Sequence, residues 1–285
     1  STAKSEKEVQ SLYALGQLSW DNYLFLDITV RNDWSSTLPK DNRSFFYPSF
    51  SLGWVVTDML TKFKVDVPSW LSFAKVRASY AEAGNDTDPY QLLSVLSTVS
   101  NMAGGQMGVA EPSTKANSNL KPEIIKSTEF GADIRFFDNR LGFDVTYYNK
   151  RAYNQIISMP SSITSGYSAK YINAGRVDNW GWELQMNATP VRTHDWNWNL
   201  WVNFAKNSSE VVELYEGVES ITLARPMGQN CYVMAKTGEP YGQIYTNGFK
   251  YDEKGNRLVG DDGKYIVDPT LRVSGNMNPE WTAGI

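Results

Sequence analysis

Along most of this chain apolar and polar residues alternate one for one. Leu24, Leu26, Ile28 and Val30 share one side of a run whose other side carries Asp27, Thr29, Arg31 and Asp33. The same spacing returns at Phe130, Ala132, Ile134 and Phe136, set against Glu129, Asp133 and Arg135. It appears again at Trp180, Trp182, Leu184, Met186 and Ala188, set against Glu183, Gln185, Asn187 and Thr189. A period of two sends the two sets to opposite faces of a β-strand. Eight such runs are predicted, at residues 9–20, 23–34, 46–58, 71–83, 127–137, 141–157, 178–189 and 196–207, and a ninth begins at 281–285.

The connectors sort by length. Asp21-Asn22 and Asp138-Asn139-Arg140 are tight reversals of the kind that joins hairpin strands, and 190–195 is also short. Residues 86–121, 158–176 and 208–278 are long, and long connectors in a compact protein usually carry function. A soluble sandwich alternates too, but its connectors need not sort, whereas a transmembrane β-barrel has turns at one rim and long loops at the other. The expected fold is therefore all-β: part of a large antiparallel transmembrane β-barrel, with short periplasmic turns and long extracellular loops. Strands of this length can cross the hydrocarbon at a tilt. The first and last strands would leave unpaired backbone groups that lipid does not tolerate, so a remainder outside residues 1–285 is expected.

Composition narrows the partners. Net charge is −4 with Lys and Arg scattered singly, which offers no electrostatic footprint for nucleic acid. No apolar stretch reaches the roughly 18 residues of a membrane helix, which leaves membrane strands untouched. The first residues, Ser1 to Gln10, are polar and charged, with no positive leader followed by an apolar region, so no signal peptide is expected within this stretch. A single cysteine, Cys231, and a single histidine, His194, leave no Cys/His cluster for zinc and no disulfide framework. The ten Trp and sixteen Tyr suit the aromatic girdles of a membrane barrel, although sugar-binding surfaces use them as well.

No constellation for catalysis is visible, and neither a cofactor nor a metal is expected. The segment from Asp252 to Gly263 has acids beside glycines, but Lys254 occupies a would-be calcium-ligand position, and the pattern suits a loop hairpin better. Asp27, Asp133, Asp144 and Glu183 could be imagined as a glycosidase pair, yet a water-filled lumen needs polar residues on every strand. Trp54, Trp182, Trp196 and Trp198 fall on apolar faces and are expected to meet lipid or the interfacial belt.

Several segments together carry a family resemblance. They are Arg77-Ala78-Ser79-Tyr80 leading to Gly84-Asn85, then Asn119-Leu120-Lys121-Pro122-Glu123, Asn173-Ala174-Gly175-Arg176 running into Gly181-Trp182-Glu183-Leu184, Gly238-Glu239-Pro240-Tyr241-Gly242-Gln243, and Asn278-Pro279-Glu280-Trp281. In this order they resemble the SusC/RagA family of TonB-linked outer-membrane transporters. The resemblance implies a barrel of the 22-stranded class with a plug domain inside it, neither the plug nor the closing strands being in this chain. It also implies a SusD-like surface lipoprotein as lid, TonB as energy source acting through a region absent here, an oligosaccharide or peptide as ligand, and the bacterial outer membrane as location, with lipid around the strands. Tyr90, Tyr167, Tyr171, Tyr241 and Tyr245 sit in the long connectors and are the expected ligand-binding residues. The rival reading is a soluble or surface-attached glycan-binding β-sandwich, whose apolar faces would meet a second sheet in a dry core; a glycoside hydrolase comes third.

Overall fold

The computed structural model describes residues 4–99, 107–226 and 230–285. Nine strands form one sheet in chain order: β1 (Val9–Trp20), β2 (Leu24–Ser35), β3 (Ser44–Val55), β4 (Leu71–Asn85), β5 (Glu123–Phe136), β6 (Leu141–Tyr153), β7 (Arg176–Arg192), β8 (Asn197–Glu213) and β9 (Trp281–Gly284). Every neighbouring pair is antiparallel. The sheet is an up-and-down meander open at both ends, since among the described residues β1 pairs only with β2 and β9 only with β8.

Register fuses the separate alternations into two continuous faces. Trp20, Leu24, Trp54, Val76, Ala132, Val145, Leu184 and Phe204 lie opposite one another from β1 to β8, and the row above reads Leu18, Leu26, Leu52, Ala78, Phe130, Tyr147 and Trp182. This apolar face stays open: Phe130 is 55% exposed and Trp182 54%. A dry two-sheet core would bury these rings, so the sandwich reading fails on this observation. The apolar band runs from Leu141 to Tyr147 on β6 and from Trp180 to Ala188 on β7, about 20 to 26 Å along the strands, close to the lipid-facing band of a membrane barrel.

The connectors depart from the expected sorting in one place. Residues 21–23, 137–140 and 193–196 are short, as expected, but on that same rim β3 stops at Val55 rather than Asp58. The chain then turns into a helix, α1 (Val56–Lys62). Two-residue alternation ends at Val55-Val56, Asp58 sits in the first turn and Lys62 in the last, which suits the helix dipole, and Thr57 is buried. The resulting connector 56–70 is longer than 36–43 on the opposite rim. Strand ends differ too. β6 closes at Tyr153 rather than Ile157, because Ile156–Pro160 pairs with Ala169–Asn173 in a separate small sheet. β7 continues past Pro190 to Arg192 through an irregular register after Ala188. The longest connector is itself structured: Ser220–Ala224, Cys231–Lys236, Gln243–Phe249 and Val267–Asn276 make a four-stranded antiparallel sheet.

Apart from Val55 at the short-turn end of β3, the buried apolar side chains lie at the long-loop rim, on the strand ends there and in the loops above them, rather than in the middle of the sheet. Leu38, Phe45 and Leu120 form one cluster; Val177, Val211 and Ala235 form another. A sheet whose one side meets lipid and whose other side is polar has no need of a central core. The loops need one, because their backbone must be held without the ladder hydrogen bonds of the sheet.

Candidate functional site

The polar face is built from charges that neutralise each other in the plane of the wall. Arg77 on β4 donates to both carboxylate oxygens of Asp144 on β6, at 3.0 and 2.6 Å, and to Thr146 Oγ1 at 2.6 Å. It reaches two strands away because Gly131 stands between them: a Cβ there would lie 2.4 Å from Arg77 Nε. Tyr148 lies across Gly181 in the same way and donates to Asn207 Oδ1 at 2.9 Å. Asp133 faces Asp144 directly, a like-charge pairing offset by Arg77 and by Arg135, which donates to Asp133 at 2.8 Å. The acids first considered as a hydrolytic pair are thus partly spent inside the wall: Asp133 and Asp144 on arginines, and Asp27 accepting from Gln17 Nε2 at 2.7 Å.

The segments that carry the family resemblance hold the roots of the loops. Leu120 is fully buried, and its carbonyl accepts from Asn42 Nδ2 at 3.1 Å. Lys121 N–H donates to Asn173 Oδ1 at 2.7 Å, and Asn173 Nδ2 returns hydrogen bonds to the carbonyls of Lys121 and Asn154. Glu123 accepts from Ile156 N–H at 2.7 Å and from Asn85 Nδ2 at 3.1 Å. Three connectors, 36–43, 86–122 and 154–175, are thereby stitched together. The Gly238-Glu239-Pro240-Tyr241-Gly242 stretch does the same for β8. Gly238 N–H donates to the Val211 carbonyl at 2.8 Å, Val211 N–H donates to the Glu239 carbonyl at 2.9 Å, and Tyr241 N–H donates to Ser209 Oγ at 3.1 Å. Asp86 closes another root: Lys7, Ser35 and Thr37 hydrogen-bond to it. Burial pushes its carboxyl up, but those hydrogen bonds outweigh burial and leave it below the usual aspartate range.

The five tyrosines all lie at the long-loop rim, and they are not gathered into one cluster. Tyr90 is 64% exposed, and its hydroxyl accepts from Glu6 N–H at 3.3 Å. Tyr167 is half-buried, with Lys115 Nζ 5.8 Å from its ring centroid. Tyr171 packs on the Leu38, Phe45 and Leu120 cluster, and Tyr241 on the Val177, Val211 and Ala235 cluster. The Tyr245 hydroxyl donates to Glu239 and, at 3.2 Å, to Gln243; burial and the Glu239 contact push its pKa up to about 12. Lys236 at 2.8 Å and the Tyr245 hydroxyl hold the Glu239 carboxyl below its usual range. Residues 251–265 make two successive tight turns, closed by the Tyr251–Arg257 and Val259–Tyr265 bridges, and in the first Asp252 spends its carboxylate on its own turn, accepting from Lys254 N–H and Asn256 N–H at 2.9 and 2.8 Å.

One lumen-side feature escaped the sequence reading. Trp201, 65% exposed, stands opposite Asn187 on the polar face, and with Gln185 and Asn203 it lines a 680 Å³ groove beside Asp133 and Arg135. Its only signal was phase: in a run where Trp196, Trp198, Leu200 and Val202 share one side, Trp201 falls on the other among asparagines.

Two faces of opposite character on one antiparallel meander, with structured loops at one rim, match a described family along almost the whole chain. Residues 1–284 match the TonB dependent receptor-like β-barrel. The chain belongs to that family. It is 29% identical over 280 residues to TonB-dependent receptor P3 of Formosa agariphila, covering 96% of this chain and 27% of that protein. It is also 29% identical over 265 residues to TonB-dependent receptor SusC of Bacteroides thetaiotaomicron, covering 87% of this chain and 26% of SusC. In fold it is similar to the RagAB peptide transporter, with a TM-score of 0.79 at 24% identity over 98% of this chain and 31% of that one. The chain thus spans about a quarter of the length of these curated relatives. The TonB-dependent receptor β-barrels to which it belongs are a family of outer-membrane receptors and transporters, not of enzymes.

Proposed function

We propose that this chain forms part of the wall and outer loops of an active importer that takes up an oligosaccharide or a peptide. A SusD-like surface lipoprotein would serve as lid, and TonB would supply the energy through a plug domain outside these residues. The observation that carries the proposal is the pairing of charges within the polar face: with Arg77 on Asp144 and Arg135 on Asp133, the wall presents water-compatible but electrically quiet surface to a passing solute. A transported ligand must be let go, and many weak contacts serve release better than one strong site. The fold neighbour RagAB is a peptide transporter, which supports a peptide among the ligand classes, and the likeness to the TonB-dependent receptor SusC supports coupling to TonB.

In this reading the loop tyrosines divide the work. Tyr90 and Tyr167 face the ligand, while Tyr171, Tyr241 and Tyr245 contribute by shaping the loops that present it. The test is made in the source cells with the full-length protein. Outer membrane is separated from soluble material, partners that co-purify in mild detergent are identified by mass spectrometry, and uptake of glycans and peptides is compared with that of a Tyr90→Ala/Tyr167→Ala strain. Recovery with a surface lipoprotein and impaired uptake of one ligand class are expected. Undiminished uptake with the lipoprotein still bound would overturn the tyrosine assignment, and a protein without lipoprotein or uptake would overturn the importer.

A further inference from the structure

The row of residues just above the aromatic belt on the lipid-facing side is charged. In register it reads Glu82, Lys126, Arg151, Asp178 and Glu210, with Tyr80, Thr128, Asn149 and Trp180 in the row beneath. Lys126 and Arg151 stand directly opposite each other, an arrangement that costs stability unless an anion lies between them. The nearby acids are drawn to the flanks. Glu82 accepts from the Tyr80 hydroxyl and lies 3.0 Å from Lys126 Nζ, while Asp178 is held by Arg176 at 2.8 and 2.6 Å. Arg151 is left more loosely held, its Nε donating to Asn149 Oδ1 at 3.2 Å and standing 3.8 Å from Asp178.

Between these side chains lies a 460 Å³ cleft lined by Tyr80, Lys126, Thr128, Asn149, Arg151 and Tyr153. The two cationic side chains remain 43% and 50% exposed. We propose that this cleft binds the phosphate of a lipid head group in the outer leaflet. Lys126 and Arg151 supply charge-assisted hydrogen bonds, and the neighbouring hydroxyl and carboxamide groups add neutral ones. Position argues for a lipid over a free anion. Tyr147 also lines the cleft, and beside it the same face turns apolar at Phe130 and Trp182, so acyl chains can run down the wall from a phosphate seated above. Basic pockets beside membrane-spanning segments elsewhere take anionic lipid head groups, and the same electrostatics applies on a strand wall.

The experiment uses the full-length protein in mixed micelles doped with diphosphorylated lipid A or with its dephosphorylated counterpart, and native mass spectrometry counts the lipid retained. The wild type should keep the phosphorylated lipid alone. Lys126→Gln/Arg151→Gln should lose it by about tenfold or more, and Arg151→Lys should keep most of it. Gel mobility with and without heating checks that each variant is folded; if the double variant is not, Arg151→Gln alone must show a loss of about threefold or more. Equal retention by the variants, equal retention of the dephosphorylated lipid, or displacement by millimolar inorganic phosphate would each overturn the assignment.

Discussion

Leu120→Ala should loosen the loops and leave the sheet intact. Leu120 has no exposed surface and packs with Leu38 and Phe45, against which Tyr47, Leu92, Ile156 and Tyr171 also rest. These neighbours come from β3, from connectors 36–43 and 86–122 and from the small sheet of 154–175, so the cavity would open where several segments meet. Truncating a fully buried leucine costs about 2 to 5 kcal/mol, transfer and cavity together. At a central value of about 3 kcal/mol, and with about 1.4 kcal/mol per factor of ten, opening of the loop root should become about a hundredfold more frequent. Hydrogen exchange reads this directly. The Lys121 amide, bound to Asn173 Oδ1 at 2.7 Å, and the Ala174 amide, bound to the Gln155 carbonyl at 2.8 Å, should exchange faster by about that factor. Amides in the paired centres of β5 and β6 should not change. Leu92→Ala, at a half-buried position, serves as the weaker control. Acceleration below about threefold at Lys121, or equal acceleration across the sheet, would refute the view that the loop roots have a core of their own.

Three other outcomes follow from the same contacts. Gly181→Ala places a Cβ 2.4 Å from the Lys206 carbonyl, a backbone atom that cannot step aside, and should cost about 1 to 3 kcal/mol in a denaturant titration, whereas Gly16→Ala on exposed β1 meets nothing within 4 Å and should be neutral. Tyr245 has a folded pKa of about 12 against an ordinary value of 10.0, so its stabilisation is complete below the ordinary value and lost as pH rises through the folded one; Tyr245→Phe should remove one late-titrating phenol from the absorbance at 295 nm. Asp86 is shifted the other way, so its clasp on Ser35, Thr37 and Lys7 is complete at neutral pH and fails as pH falls through its lowered value; proteolysis near residue 86 should accelerate in acid for the wild type and be fast at every pH for Asp86→Ala.

Strand positions were legible because each strand advertises itself: alternation is a local property, and one sheet face meeting lipid with the other meeting water forces it on every strand alike. Asp138-Asn139-Arg140 likewise predicts its own turn, and the structure places Asp138 and Asn139 at positive φ, which Asp and Asn tolerate. The family segments could be recognised from sequence, but their role could not. Only the folded chain shows Asn119 to Glu123 meeting Asn173 and Ile156 across the loop roots. The helix at Val56–Lys62 was missed because a short amphipathic turn carries little periodic signal beside the strong strand before it. The packing of Tyr171 and Tyr241 on the two loop-root clusters could not be read from the sequence, since distance along the chain says nothing of what packs against a ring. The same limit hid Trp201 and the Lys126 and Arg151 pair, whose meaning lies in cross-strand register. Sequence alone therefore determined the strands, their faces and the membrane they suit, because those depend on neighbours two residues away. Tertiary structure decided which loops are tied together, which charges cancel and which remain open, because those depend on neighbours tens of residues away, brought within reach only by pairing of the strands.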